Sequence, residues 1–238
     1  VPAVANASNA AVAASRLGLK SALIANLGKD LNGEKCLERF KDEGVSTEYI
    51  RINEGLETNY HYVLWYEDDR TILQKHAHFD YSLPSFEKPN WIYLTSLGEN
   101  SLPLHTELSK YLKENPEVKL AFQPGIFQIN FGKEVLKEIY NRTDIFFCNV
   151  EEAEKILGIE TLGIQELLKR MKELGPKVVV ITDGPNGAQA YDGVNFYKQT
   201  PYPDPKAPLE RTGAGDAFSS TTVSALALGL DLQSSLKW

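Results

Sequence analysis

The chain has 238 residues with an apolar share of 42%, which predicts a domain with one sizeable core. Its net charge is −7 and its lysines and arginines are dispersed, so nucleic acid and anionic membranes are poor candidate partners. No apolar run reaches the ~18 residues of a membrane span, and no signal peptide is visible. Cys36 and Cys148 lie in apolar contexts, and we expect them to be reduced core residues of a cytoplasmic protein.

Short apolar runs recur along the chain and predict buried β-strands. They lie at 21–26, 91–96, 118–123, 144–149 and 177–184. Most are continuous rather than alternating, as expected for strands buried on both faces. Helical patterns, with apolar residues three and four positions apart, lie at 8–18, 33–44, 133–142 and 164–175. The alternation of strands and helices predicts an α/β fold with a central, mostly parallel sheet and helices on both faces.

Two segments depart from this alternation and predict β-hairpins. Residues 58–75 have two β-rich arms, and we expect them to form a small lid within about 50–80. Residues 187–199 predict a second hairpin, with Asp192 and Gly193 at its turn. The chain opens close to a helix and closes where a new helix begins. We therefore expect a single domain, 1–238, that lacks sequence at both ends.

The stretch "TGAGDAF" at 212–218 precedes an apolar run of small residues. Two glycines just before a helix let successive backbone N–H groups point at one spot, and the helix N-terminus adds unpaired donors and positive potential. This pattern predicts an anion hole suited to phosphate. Asp216 would repel that ligand, which is tolerable if it accepts a proton from an attacking hydroxyl. The alternative is that Asp216 is only a first-turn acid favoured by the helix dipole.

The stretch "RTGAGDAFSS" closely resembles the C-terminal signature of the ribokinase-like (PfkB) sugar and nucleoside kinases. Other segments resemble motifs of the same family: the substrate-binding signature at 5–18, the segment after it at 25–47, the Asn-x-x-Glu motif at 146–156 and the nucleotide-side strand at 178–191. The resemblance therefore covers most of the chain. It implies a ribokinase-like fold, ATP-dependent phosphorylation of a sugar hydroxyl, and Mg²⁺ as the cofactor.

The resemblance also implies roles for individual residues. Asp216 would be the catalytic base, and the backbone of Gly213, Ala214 and Gly215 would hold the charge on the transferring phosphoryl group. Asn149 and Glu152 would organise Mg²⁺ through water, and Asn6 and Asn9 would bind the substrate. The residues expected to contact ATP are Asn149, Glu152, Thr182, Gly184, Gly187 and Arg211. Potassium near Glu210 and a homodimer formed through the lid are further expectations.

Several of these residues have a second interpretation. Asn149 followed by Glu152 is also the pattern of a helix capping box. Residues 182–187 also fit a strand end and turn, and Arg211 fits a solvated loop residue equally well. One pair departs from the family pattern, because Val4 and Ala5 stand where the family usually has two glycines. This departure puts sugar binding in question, since glycines let the backbone approach substrate hydroxyls.

The predicted function is that of a sugar kinase, with two alternatives. A nucleoside kinase of the same fold would suit the aromatic lid, where Tyr60, Tyr62, Trp65 and Tyr66 offer surfaces for a purine. A non-catalytic binding relative would suit the departure at Val4 and Ala5. The sequence has no G-x-x-x-x-G-K-[ST] motif of P-loop kinases. It also lacks a G-x-G-x-x-G motif after its first strand, which argues against a dinucleotide-binding oxidoreductase.

Overall fold

The structure, a computed structural model, describes residues 2–66, 69–160, 163–203 and 213–238. The strands in chain order are β1 (Ala25–Gly28), β2 (Ile50–Asn53), β3 (Tyr60–Tyr66), β4 (Asp69–Lys75), β5 (Trp91–Leu94), β6 (Lys119–Phe122), β7 (Ile145–Asn149), β8 (Val178–Thr182), β9 (Ala188–Tyr191) and β10 (Phe196–Gln199). The helices are α1 (Asn6–Arg16), α2 (Leu31–Asp42), α3 (Leu102–Glu114), α4 (Ile126–Phe131), α5 (Lys137–Arg142), α6 (Val150–Leu157), α7 (Ile164–Glu173), α8 (Ala214–Ala227) and α9 (Leu232–Ser235).

The main sheet has six strands in the spatial order β10–β9–β8–β7–β6–β5. The four strands β5 to β8 run parallel, whereas β9 and β10 form an antiparallel hairpin at one edge. The predicted α/β fold with a mostly parallel sheet is confirmed. The carboxyl ends of β6, β7 and β8 lie side by side, which is where ligands bind in open sheets of this kind.

Both faces of the sheet are covered by helices. Along β7, Phe146 and Cys148 point to a larger cluster that contains residues of α3, α5, α6 and α7. Ile145 and Phe147 point to a smaller cluster with Val223 of α8. Each of these four β7 residues is at most 4% exposed, so the strand is apolar up to Asn149 because it is buried on both sides.

Helix α8 is buried although it is rich in serine and threonine. Its hydroxyl groups donate to carbonyls one turn back, as Thr222 does to Phe218 and Ser224 does to Ser220, each at 2.8 Å. These bonds satisfy polar groups that would otherwise be costly to bury. The small side chains let α8 pack closely against the alanine-rich α1, the most extensive helix–helix contact in the described part of the chain.

A second unit lies beside the main sheet. Strands β1 and β2 pair in parallel, and β3 and β4 form the predicted antiparallel hairpin, called the lid below. Asp30, the N-cap of α2, accepts hydrogen bonds from the Gly33 N–H at 2.8 Å, the Thr58 N–H at 2.9 Å and the Thr58 hydroxyl at 2.7 Å. Asp30 thereby ties the base of the lid to the start of α2.

Some predicted elements differ from those observed. The strand expected at 21–26 spans Ala25–Gly28, because the residues before it leave Ile24 at the surface and only Ala22 makes a bridge, to Ser46. The helix expected at 133–142 spans only Lys137–Arg142. The lid expected within 50–80 does not include β2, which pairs with β1 rather than with the hairpin. Among the described residues, every helix is too short or too polar to cross a membrane.

Candidate active site

A cavity of about 550 Å³ lies at the carboxyl ends of β6, β7 and β8, and residues of the lid also line it. Seven of the predicted site residues line it: Asn6, Asn149, Glu152, Thr182, Gly213, Gly215 and Asp216. They come from α1, β7, α6, β8 and the start of α8, so residues up to 210 positions apart in sequence meet here. Val4 and Ala5, the pair that departs from the family pattern, line the same cavity.

Other predicted residues lie outside the lining. Asn9 is not part of it and contacts Asp216 instead. Gly184 and Gly187 bracket a short 3₁₀ turn after β8 and do not reach the cavity. Gly187 has a φ of 91°, and a Cβ there would lie 2.1 Å from the Gln199 carbonyl, so the hairpin β9–β10 itself requires this glycine. Arg211 and Glu210 fall outside the described residues.

The N-terminus of α8 faces the cavity. Its N-cap is Gly213, with a φ of 81°, in the left-handed region that glycine adopts at little cost. The first N–H groups of a helix have no acceptor within the helix, and a glycine N-cap offers no side chain to satisfy them. Gly213, Ala214 and Gly215 are all exposed. The backbone here can therefore hold an anion, helped by the helix dipole.

Asp216 lies in the first turn of α8, and two amide side chains hold its carboxylate. Asn9 Nδ2 donates to Oδ2 at 3.1 Å, and Gln123 Nε2 donates to Oδ1 at 3.2 Å. Burial raises the pKa of Asp216 above its usual value, and these two hydrogen bonds partly oppose that rise. The result is a fixed carboxylate in the cavity wall that accepts a proton more readily than an exposed one.

The N-terminus of α6 also faces the cavity, but its own side chains close it. Asn149 Oδ1 accepts from the Glu152 N–H at 2.8 Å, and Glu152 Oε2 accepts from the Asn149 N–H at 2.9 Å. This is the capping box that the spacing predicts as an alternative. Burial raises the pKa of Glu152, and the nearby Asp216 charge raises it further, while the Asn149 N–H and Lys155 lower it.

The oxygen atoms around this helix end suit magnesium. In the described part of the chain, no three His, Cys, Asp or Glu side chains are grouped closely enough to hold a metal by themselves. Mg²⁺ rarely needs such a cage, because it keeps several waters and binds through one or two carboxylates together with substrate phosphates. Glu152 and Asn149, both on the cavity wall, fit that requirement.

Sequence reasoning missed three residues that contact the Asp216 carboxylate directly or through one neighbour. Gln123 bonds Asp216, and Tyr93 and Ser219 both bond Gln123. One signal was available, because Gln123 follows β6 just as Asn149 ends β7 and Thr182 ends β8. Polar residues at neighbouring carboxyl ends of parallel strands meet at one edge of the sheet.

The lid also contributes side chains to the cavity lining. His61 of β3 and its register partner Gln74 of β4 both line the cavity. His76 follows β4 and packs edge-on against Phe127, with ring centroids 5.6 Å apart. The other face of the lid is apolar and exposed, with Tyr62 at 64% and Leu64 and Leu73 each at 53%.

The sequence matches a known family along nearly its whole length. The family model described as pfkB family carbohydrate kinase matches residues 6–238. A sugar kinase of Archaeoglobus fulgidus, itself uncharacterized, is 27% identical over 92% of this chain and 88% of its own. The ribokinase of Bacillus subtilis is 29% identical over 97% of this chain and 76% of its own, and a nucleoside kinase of Methanocaldococcus jannaschii is 25% identical over 95% and 73%.

Solved structures share the fold. Arabidopsis thaliana ribokinase in complex with ribose and ATP superimposes with a TM-score of 0.83 at 19% identity, covering 98% of this chain and 77% of its own. An E. coli protein described as a ribokinase II, in complex with ATP and Mg²⁺, superimposes with a TM-score of 0.78 at 19% identity, covering 98% and 78%. At these identities the likeness establishes the fold alone.

Proposed function

The chain belongs to the pfkB family of carbohydrate kinases, and we propose that it transfers the γ-phosphoryl group of ATP to a hydroxyl of a sugar. The family comprises sugar and nucleoside kinases, and relatives of both kinds match this chain. One observation carries the proposal: a carboxylate of raised pKa, Asp216, lies in the cavity wall directly beside an open helix N-terminus. A proton acceptor next to an anion site is what phosphoryl transfer to an alcohol requires.

In the proposed step, Asp216 accepts the proton of the substrate hydroxyl as its oxygen forms a bond to the γ-phosphorus. The bond from that phosphorus to the bridging oxygen of ADP breaks, and ADP leaves with the electron pair. The backbone of Gly213, Ala214 and Gly215 stabilises the charge on the phosphoryl oxygens as they move. Asn6, which lines the cavity one turn before Asn9 in α1, binds substrate hydroxyls. Asn9 does not line the cavity, so we expect it to hold the Asp216 carboxylate that it contacts rather than to bind the substrate.

Magnesium, when bound, neutralises charge on the β- and γ-phosphates. Glu152 and Asn149 are the residues proposed to hold its water shell, and a protein of this fold binds ATP with Mg²⁺. Thr182 contacts the nucleotide phosphates from the end of β8. Gly184 and Gly187 shape the turn beyond it, and Arg211 adds a cation. Potassium near Glu210 also belongs to the proposal, and the rate in KCl against NaCl tests it.

The test of this function is the substitution Asp216→Asn. The variant keeps the shape of the side chain and removes its ability to accept the proton, so ADP release in the presence of ATP, Mg²⁺ and substrate falls by about 10²–10⁴-fold. ATP binding, measured by calorimetry, stays within threefold. The matched control is Asp80→Asn, at an exposed position outside the cavity lining. Turnover retained in Asp216→Asn contradicts the proposed base.

A nucleoside kinase is the second candidate. The cavity offers His76 and Phe127 as aromatic surfaces, and the nucleoside kinase relative covers nearly the whole chain. A panel of free pentoses, free hexoses and nucleosides separates the two functions through kcat/KM. A preference for nucleosides of tenfold or more would make the nucleoside kinase the first candidate. If no compound in the panel is phosphorylated although ATP binds, the result points to a non-catalytic binding protein with the same fold.

The proposal also covers assembly and location. The lid closes over the cavity and excludes water, and its exposed apolar face pairs with that of a second copy. Light scattering then gives twice the mass of the chain, and Leu64→Glu on that face gives a monomer. A cytoplasmic location fits the two cysteines, which are buried and unpaired.

A further inference from the structure

Four side chains form a connected path from the sheet to the base. Gln123 Nε2 donates to Asp216 Oδ1 at 3.2 Å, and Gln123 Oε1 lies 2.9 Å from the Ser219 hydroxyl and also accepts from the Tyr93 hydroxyl. The Tyr93 and Ser219 hydroxyls lie 2.8 Å apart. One of the two amides that hold the Asp216 carboxylate is therefore itself held on its far side by two hydroxyl groups.

The carboxylate fixes which way this amide faces. Carboxylate oxygens only accept hydrogen bonds, so the nitrogen of Gln123 must face Asp216. A flipped amide would place Gln123 Oε1 against the carboxylate, where two acceptors repel each other. At its other end, a flipped amide would turn its NH₂ group toward the Tyr93 and Ser219 oxygens, which can accept from it while Ser219 donates to the Gly215 carbonyl 2.7 Å away. The carboxylate end of the amide therefore decides its orientation.

The hydroxyl groups behind Gln123 are held in place. Ser219 is 1% exposed, and Tyr93 is a register partner of Ala121, two residues before Gln123. The Gln123 N–H donates to the Leu94 carbonyl at 2.9 Å, which fixes the backbone at the end of β6. Burial raises the pKa of the Tyr93 hydroxyl well above its usual value of about 10, so the hydroxyl keeps its proton throughout the working range of an enzyme.

We propose that Gln123 is a positioning residue for Asp216, held in place by Tyr93 and Ser219, and that it aims the free lone pairs of the base into the cavity. The inference rests on the proposed function of Asp216. Asn9 holds the second carboxylate oxygen from α1, so the carboxylate cannot rotate while both amides are in place. Aim matters because small displacements of a catalytic group cost about 10²-fold in rate.

The kinetic experiment compares Gln123→Met, which keeps length and removes both polar atoms, with Tyr93→Phe, which removes one hydroxyl behind it. We expect kcat to fall about 10²-fold in Gln123→Met and roughly three- to tenfold in Tyr93→Phe, with KM for ATP within threefold. The acid limb of kcat/KM moves to higher pH in Gln123→Met, because the lost hydrogen bond lowered the pKa of Asp216. Tyr140→Phe, a buried tyrosine in the core against Phe122 and Phe146, is the matched control.

A second measurement separates this inference from the proposed function. A ¹³C NMR titration follows the Asp216 carboxyl without any substrate, with Asp216→Asn used to assign its signal. Glu152 and Tyr93 are the other titratable groups that face it, and their signals are followed in the same spectra. A higher pKa of Asp216 in Gln123→Met supports the positioning role of Gln123. If no substrate is turned over in the same work, that result overturns the proposed kinase function and not the positioning of the carboxylate. A different result overturns the inference and leaves the kinase standing. In that case the wild type is active and Asp216→Asn is inactive, but Gln123→Met has the wild-type kcat and the wild-type pKa of Asp216.

Discussion

The N-termini of α6 and α8 face the same cavity and differ in how they are closed. At α6, Asn149 and Glu152 satisfy each other's backbone N–H groups. At α8, the N-cap is Gly213, and its first-turn donors remain open to the cavity. The same secondary-structure element thus satisfies its own donors in one place and leaves them open to an anion in the other. The difference depends on the residue at the N-cap.

The acidic residues in the two first turns also differ. Glu152 is an acceptor for its own helix, whereas Asp216 accepts, within the described residues, from Asn9 and Gln123 on other elements. Burial raises the pKa of both carboxyls. Of these two carboxyls, Asp216 lies beside the open backbone donors, so the proposed base and the proposed anion site coincide at α8. Three experiments test or refine this contrast.

The largest effect is expected at the open helix end. Gly213→Ala places a side chain at a φ of 81°, which costs about 1–2 kcal/mol and turns the first N–H groups away from the anion. We expect kcat to fall about 10²-fold, as when one donor of an anion hole is lost. Gly229→Ala at the other end of α8 is the control, with a φ of 93° and no atom within 4 Å of its Cβ. Equal losses of activity in the two variants would mean that strain, rather than the anion site, explains the result.

A smaller effect is expected at the closed N-terminus of α6, where two substitutions of Asn149 separate its capping of the helix from its proposed role in ATP binding. Asn149→Ala removes the cap and lowers the free energy of unfolding by about 1 kcal/mol. Asn149→Asp keeps a capping oxygen but adds a negative charge beside the phosphates, so stability holds while ATP binds roughly tenfold more weakly, a difference of about 1.4 kcal/mol. Chemical denaturation and calorimetry measure the two quantities. Asp231→Ala, which removes the N-cap of α9, should lower stability alone, and unchanged ATP affinity in Asn149→Asp would remove Asn149 from the nucleotide site.

The smallest effect is a shift in pH dependence. Because the base must be ionised and burial raises the pKa of Asp216, kcat/KM should fall on acidification at a pH above the usual carboxyl value of about 3.9. The Asp216 charge raises the pKa of Glu152, so Glu152 takes up its proton first and is neutral when Asp216 titrates. Glu152→Gln keeps the capping oxygen, and we expect it to leave the acid limb at the wild-type pH, as the exposed control Glu151→Gln does. A limb that moves to lower pH in Glu152→Gln alone would show that Glu152 is still ionised when Asp216 titrates.

The sequence predicts the elements whose information is local. The four strands β5 to β8 are continuous apolar runs, and the motif around Asp216 is contiguous, so both are visible without a structure. Helix α3 is absent from the predicted elements. Its sequence does carry a helix-start signal, because Pro103 lies in the first turn, where the missing N–H of proline costs nothing. The network of Tyr93, Gln123 and Ser219 is also invisible, because its members lie on separate elements and hydrogen bonds between them leave no periodic pattern.

The packing of α8 against α1 has a consequence for how relatives diverge. Asn9 and Asp216 meet across an interface of alanine, serine and threonine, so their spacing is set by two backbones, whereas the lid is fastened separately through Asp30 and Thr58. Under the proposed function, substitutions in the lid would change which acceptor is recognised while Asn9 and Asp216 keep their spacing. An ancestral kinase of this design would then acquire a new acceptor through a few changes in one hairpin.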